Sequence, residues 1–275
     1  MLLVSFGTGT QFELLPYNPV ANPSAVVVAG NARFTVLTDR IIRMEYSSSG
    51  RFVDQATLAF LNRNTPVPPF VNKTSGGVLS IATKTLTLYY QVGAAFSSSS
   101  LNITVKNANV NEYQFGDVDN GNLLGTIKSL DELGVTSLNC TENANIRVHD
   151  ESLHCAWGLV SRNGWTVVDD SDNYLLDPVS NWWTVQNPNA VDAYFFGHGS
   201  DYMGALADYT LLGGAVAMPP RAANGVYWSR WYNMNDGDVN ALVEDYENRG
   251  LPLDCYILDM DWYRTSLYNS IGERI

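Results

Sequence analysis

The residues best suited to chemistry lie near the end of the chain, in Asp259-Met260-Asp261-Trp262. On a strand, Asp259 and Asp261 are two positions apart and project to the same side. They follow the apolar run Leu253-Asp254-Cys255-Tyr256-Ile257-Leu258, so two carboxylates meet at the mouth of a buried element. Such a pair is costly to desolvate unless hydroxyls, cations or other donors meet it. A ligand site that supplies such groups is one reading. A helix N-cap beside a solvated loop acid is the other. Upstream, Trp228, Arg230 and Trp231 close a second strand-like run. Exposed aromatic faces suit the apolar C–H face of a pyranose, whose rim needs hydrogen bonds. The same residues also fit core filling by tryptophan, with Arg230 in a structural ion pair.

The elements that must position these residues are legible locally. Gly225–Trp231 reads as a strand. Asp236 or Asp238 can cap a helix running to Asn248, with Val239, Leu242, Val243 and Tyr246 on one face and Gly250 as the stop. Residues 253–259 form the next strand. Strand, helix and buried strand make a βαβ unit, the building block of a parallel sheet or (β/α)8 barrel, whose sites form at the C-terminal ends of the strands.

Ahead of it, short β-type runs dominate. Residues 33–38 and 41–46 flank a turn at Asp39-Arg40, and 85–90 and 101–105 alternate polar with apolar residues. Further strands are expected at 156–161, 164–169 and 191–196, and a short helix at 202–209 ended by Gly213-Gly214. Many short strands without helical patterns between them predict an antiparallel β-sandwich. Met218-Pro219-Pro220-Arg221 reads as a rigid linker. The expected domains are therefore a sandwich over 1–215 and the start of a barrel over 216–275.

Other chemistries are excluded or lack support. In 275 residues, 16 Lys and Arg face 28 Asp and Glu, a net charge of −12, which repels nucleic acid and anionic membrane surfaces. An apolar fraction of 45% is ample for a core and excludes a wholly disordered chain. No run approaches the ~20 apolar residues of a membrane-spanning helix. Cys140, Cys155 and Cys255, with His149, His154 and His198, lack zinc-ligand spacing, so no metal is expected. Cys140 and Cys155 are left as paired or free.

Asp117-Val118-Asp119-Asn120-Gly121 begins like a calcium loop but has Lys128 where the twelfth-position Glu belongs. Gly197-His198-Gly199 lacks the third glycine of a phosphate loop, and no Gly-x-Ser-x-Gly elbow is present. The opening residues Met1–Gly7 do not read as a signal peptide. The sequons at Asn72, Asn102 and Asn139 lean toward a secretory relative.

Several of these segments resemble family 31 glycoside hydrolases, the α-glucosidases, α-xylosidases and their relatives. Gly164–Ser171 and Asp192–Gly199 resemble the end of that family's N-terminal domain. Met218–Arg221, Trp228–Trp231 and Leu251–Asp254 leading into Asp259–Trp262 resemble the entry to its catalytic barrel, and Arg33–Tyr46, Asn122–Thr126 and Leu130-Asp131 fit its N-terminal region.

The resemblance implies a galactose-mutarotase-like β-sandwich before a (β/α)8 barrel, no cofactor, and a retaining α-glycosidase acting on an α-linked oligosaccharide or glycoside. It further implies that Asp259 binds hydroxyls of the non-reducing-end sugar and that Trp231 lines that subsite beside Arg230. Asp117 would be an acidic residue reaching the pocket from an N-terminal loop, and Asp261 a supporting residue.

The family's nucleophile, in a Trp-x-Asp-Met-Asn-Glu-like motif, and its later acid/base have no counterpart here. Asn233-Met234-Asn235-Asp236 is an echo in the wrong place, and Tyr263–Ile275 departs from the pattern. The chain is therefore expected to be an N-terminal portion, inactive alone, with residues 222–275 marginally stable. The alternative is a non-catalytic carbohydrate-binding or interaction sandwich with Trp165, Trp182 and Trp183 as platforms.

Overall fold

The computed structural model describes residues 17–125, 157–180, 182–185, 190–216, 218–232 and 234–259. The chain divides into two compact units, Met1–Ala215 and Val216–Ile275.

The first unit is an antiparallel sandwich. One sheet joins β1 (Val26–Ala29), β2 (Ala32–Val36), β3 (Ile41–Ser47), β12 (Ala190–Phe196) and β9 (Thr166–Asp169) in the order β1-β2-β3-β12-β9. The other is a meander of β4 (Val71–Ser75), β5 (Val78–Ala82), β6 (Leu86–Gln91), β7 (Leu101–Val105) and β8 (Glu112–Gln114). β10 (Tyr174–Asp177) and β11 (Trp182–Val185) form a separate ribbon. The Asp39-Arg40 turn forms as expected, with the Leu37 and Thr38 amides donating to the Ile41 carbonyl (3.0 and 3.3 Å).

Period-two alternation builds the core. Phe34, Met44 and Phe195 of the first sheet meet Leu79, Leu88 and Ile103 of the second in one buried cluster. Each such side chain, fully buried, contributes roughly 1.5–3 kcal/mol. The opposite face of the first sheet is buried too. Ile41, Tyr194 and Phe196 pack there with Phe60 and with Leu212 of α1 (Tyr202–Gly213). Polar members of that face include Arg33, Thr35, Arg43, Glu45 and Asp192, all buried.

Residues 157–161 differ from expectation. Instead of a strand, they make a single bridge, Asn122 to Ser161. The cause is the buried Asp119, which accepts from Ser161 Oγ (2.5 Å), Asn163 Nδ2 (2.9 Å), Asn122 Nδ2 (3.1 Å) and the Gly121 amide (3.2 Å). Asn122 in turn bonds both backbone groups of Gly158 (2.8 and 2.9 Å), giving that segment the pairing a strand would otherwise supply.

The second unit holds β13 (Tyr227–Ser229), α2 (Asp236–Asn248) and β14 (Cys255–Ile257). The two strands pair in parallel, so the βαβ expectation holds. The helix cap differs from expectation. Asn235, in extended conformation, accepts from the Asp238 amide (3.1 Å), and Asp238 reaches back to the Asn235 amide (3.0 Å). This is a capping box, with Asp238 as its third-position acid. Val239, Leu242, Val243 and Tyr246 are half-buried while the rest of the helix is exposed, which matches the expected stripe.

Candidate functional site

The pairing of β13 with β14 sets the geometry at their C-terminal ends. Tyr227, Trp228 and Ser229 stand opposite Cys255, Tyr256 and Ile257. The register partners Trp228 and Tyr256 stack, with ring centroids 4.8 Å apart. The Tyr256 hydroxyl donates to Met234 Sδ (3.3 Å), tying the second strand to the segment after the first.

The opposite ends are fixed just as firmly. Asp254 Oδ2 accepts from the Val226 amide (2.9 Å), and the Asp254 and Cys255 amides donate to the Val226 carbonyl (3.0 and 3.1 Å). Gly225 is required by this contact, because a Cβ there would lie 2.3 Å from the Asp254 carboxyl carbon.

Beyond the paired residues the chain presents Arg230, Trp231 and Tyr232 after β13, and Leu258 and Asp259 after β14. Trp231 is 69% exposed, so it is not core filler. The Arg230 guanidinium lies 4.3 Å from the centroid of Tyr232 in a cation–π contact, and no ion pair to Arg230 occurs among the described residues. Asp259 is half-buried. Asp261 lies outside the described residues. The chemistry available here is hydrogen bonding from a carboxylate and a guanidinium beside an exposed indole face, a set suited to a neutral polyol.

Asp117 belongs to the first unit, at the turn after β8. It is exposed, and its carboxylate accepts from the Gln114 amide (2.8 Å), which closes that turn. Of the three tryptophans considered as platforms, Trp165 is ruled out, being 4% exposed between Tyr113 and Phe195. Trp182 is exposed and Trp183 half-buried on the β10–β11 ribbon. Cys140, Cys155 and Asn139 lie outside the described residues. Cys255 is a free, half-buried thiol. His198, set between two glycines, is buried with Nε2 3.1 Å from Asp208 Oδ2, and that carboxylate also accepts from the Thr38 hydroxyl (2.9 Å).

The clustering missed from sequence is the charged layer on the first sheet. Arg43 donates from Nε and Nη2 to Asp192 (2.8 and 2.6 Å), and Arg33 donates from Nε and Nη2 to Glu45 (2.6 and 2.7 Å). Arg43 also pairs with Glu45 (3.1 Å), and Arg63 Nε donates to the Tyr194 hydroxyl (2.6 Å). The signal available was an arginine or acid at every second position of apolar strands.

A mainly β sandwich followed by a parallel strand–helix–strand is thus the class of protein this fold defines. Comparison with known proteins specifies it further. Residues 216–271 match the family described as the glycosyl hydrolases family 31 TIM-barrel domain, so the family pattern continues past Tyr263, where the sequence is expected to depart from it. The fold resembles a family 31 dextranase of Flavobacterium johnsoniae solved with isomaltotriose, at 17% identity and a TM-score of 0.53 over 90% of this chain and 35% of that one. It also resembles a family 31 α-xylosidase from a soil metagenome solved with xylose, at 12% identity and a TM-score of 0.53 over 88% of this chain and 41% of that one. This chain therefore spans well under half the length of either enzyme. No curated protein matches it. Residues 216–271 thus match the family 31 barrel model, and the chain resembles the fold of the two family 31 enzymes.

Proposed function

We propose that this chain supplies the sugar-binding corner of a retaining α-glycosidase of the α-glucosidase or α-xylosidase type, and that residues 1–275 bind a glycoside without hydrolysing it. The observation that carries this reading is the parallel register of β13 and β14, which sets Trp231 and Asp259 at equivalent positions beyond adjacent strand ends. In barrels, sites are built at those ends.

In this reading the Asp259 carboxylate accepts hydrogen bonds from two sugar hydroxyls, Trp231 covers an apolar face of the ring, and Arg230 donates at the rim. Asp117 enters only through the family resemblance. Retaining hydrolysis needs one carboxylate to attack the anomeric carbon and a second to protonate the leaving oxygen; water then releases the glycosyl-enzyme. The sequence offers no counterpart of either family carboxylate. Without both, nucleophilic and acid catalysis are lost together. The isomaltotriose and xylose bound by the two family enzymes support an α-linked glucose or xylose unit as the ligand class.

The test is hydrolysis of p-nitrophenyl α-glucoside and α-xyloside by the purified chain and by Asp259→Ala, together with calorimetric titration of both with the methyl glycosides. Binding by the native chain that Asp259→Ala abolishes, without turnover, supports the reading. Turnover lost in Asp259→Ala overturns the non-catalytic part of it. Binding that Asp259→Ala leaves intact overturns the site.

A further inference from the structure

A second site suggests itself in the first unit, on the face of β2 and β3 opposite the sandwich core. A cavity of about 300 Å³ opens there, with Arg33, Thr35 and Arg43 in its lining, Ala21 and Pro23 on its apolar side, and Asp54 beside them. Its volume falls at the low end of the roughly 300–1,000 Å³ of small-molecule pockets.

What distinguishes this cavity is its buried polar lining. Thr35 and Arg43 are each 1% exposed and Arg33 is 9% exposed. Both arginines direct Nε and Nη2 to protein acceptors: Arg33 to Glu45, Asp54 and the Val53 carbonyl, Arg43 to Asp192, Glu45 and the same carbonyl. Those bonds fix the two guanidinium planes. Among the described residues no hydrogen bond is made by Nη1 of either arginine or by Thr35 Oγ1, although all three side chains line the cavity. Held donors beside a ring-sized space match a ligand rich in acceptor oxygens.

Charge selects among such ligands. Each guanidinium is already paired with carboxylates, Arg33 with Glu45 and Asp54 and Arg43 with Asp192 and Glu45, so neither offers an uncompensated positive charge to a phosphate or carboxylate ligand. A neutral polyol needs no such charge. Its hydroxyls accept from the arginines and Thr35 and donate to the half-exposed Asp54, while its C–H face meets Ala21 and Pro23.

We propose that this cavity binds one neutral sugar unit. The proposal is independent of the Trp231/Asp259 reading, since every residue it uses lies in the first unit.

The test uses the full 15N-labelled chain carrying Asp259→Ala and Trp231→Ala, so that only the second site is read. Methyl α-D-glucopyranoside is titrated while arginine Nε–Hε correlations are followed, and glucose 6-phosphate serves as the charged probe. Saturable shifts of the Arg33 and Arg43 signals are expected with the methyl glucoside and none with the phosphate. The apparent affinity should fall at least tenfold in Ala21→Trp, which fills the cavity from its rim, and also in Thr35→Val, which removes one donor. Melting curves for both variants establish that they fold. Absence of shifts, unchanged affinity in two folded variants, or equal shifts with glucose 6-phosphate would each overturn the proposal.

Discussion

Trp231 and Asp259 each stand two residues past the last paired residue of adjacent parallel strands, Ser229 in β13 and Ile257 in β14. Neighbouring parallel strands end side by side, so equal offsets put both residues beyond the same edge of the ribbon. One of them is largely exposed and the other half-buried.

From this we predict that Trp231→Ala weakens binding of methyl α-glucoside or α-xyloside roughly tenfold, the order of one lost aromatic contact of about 1–2 kcal/mol. The melting temperature should not move, because a side chain this exposed adds little to the fold. Isothermal titration and a thermal melt on the same sample check both halves. Unchanged affinity would remove Trp231 from the site.

The frame beneath that edge depends on Gly225. In Gly225→Ala the new Cβ meets the Asp254 carboxyl group at 2.3 Å, and Asp254 is the residue that holds the Val226 amide. Overpacking of this kind costs about 1–3 kcal/mol. Amide exchange should accelerate across 226–257 and stay unchanged in β2, β3 and β12. Exchange that is equal throughout would show the contact to be unimportant.

Removing one member of the buried charge layer should be far more damaging. Asp192→Ala leaves Arg43 without its two-bond partner, in a place where both side chains are almost wholly inaccessible. A loss of about 3–5 kcal/mol is expected, seen as a lower midpoint in urea. Arg40→Ala, which removes the solvent-exposed pair with Asp201, should shift the urea midpoint far less.

Asp170 gives the first unit a pH signature. Burial, reinforced by the neighbouring Asp192 charge, outweighs the bonds from Asn173 and Thr57 and the nearby Arg63, and raises its carboxyl from the usual 3.8 to about 6. The folded state therefore holds this proton more tightly than the unfolded chain. The resulting stability is present below about pH 4 and is lost as pH rises through about 6, a change on the order of 3 kcal/mol. Asp170→Asn should lack that component, so its melting temperature should fall less between pH 4 and 7 than that of the native chain. Parallel curves would refute the assignment.

Local patterns wrote much of this molecule into its sequence. The alternation in Leu86–Gln91 and Leu101–Val105, the stripe on α2 and the apolar strands around it all concern residues within a few positions of one another. A strand or helix period needs no more than that. The same holds for the carboxylate and the tryptophan at the two strand ends, visible as soon as the strands are drawn.

Tertiary structure decided what depends on distant partners. β12 lies between β3 and β9, and only this order brings Asp192 to Arg43, 149 positions away in the chain. Asp119, in the segment from Asp117 that begins like a calcium loop, is bonded instead by Ser161 and Asn163. Of the tryptophans that looked alike in sequence, Trp165 faces the core and Trp231 faces solvent. Burial is set by what packs against a side chain, and the neighbours that bury Trp165 come from two different strands, β8 and β12.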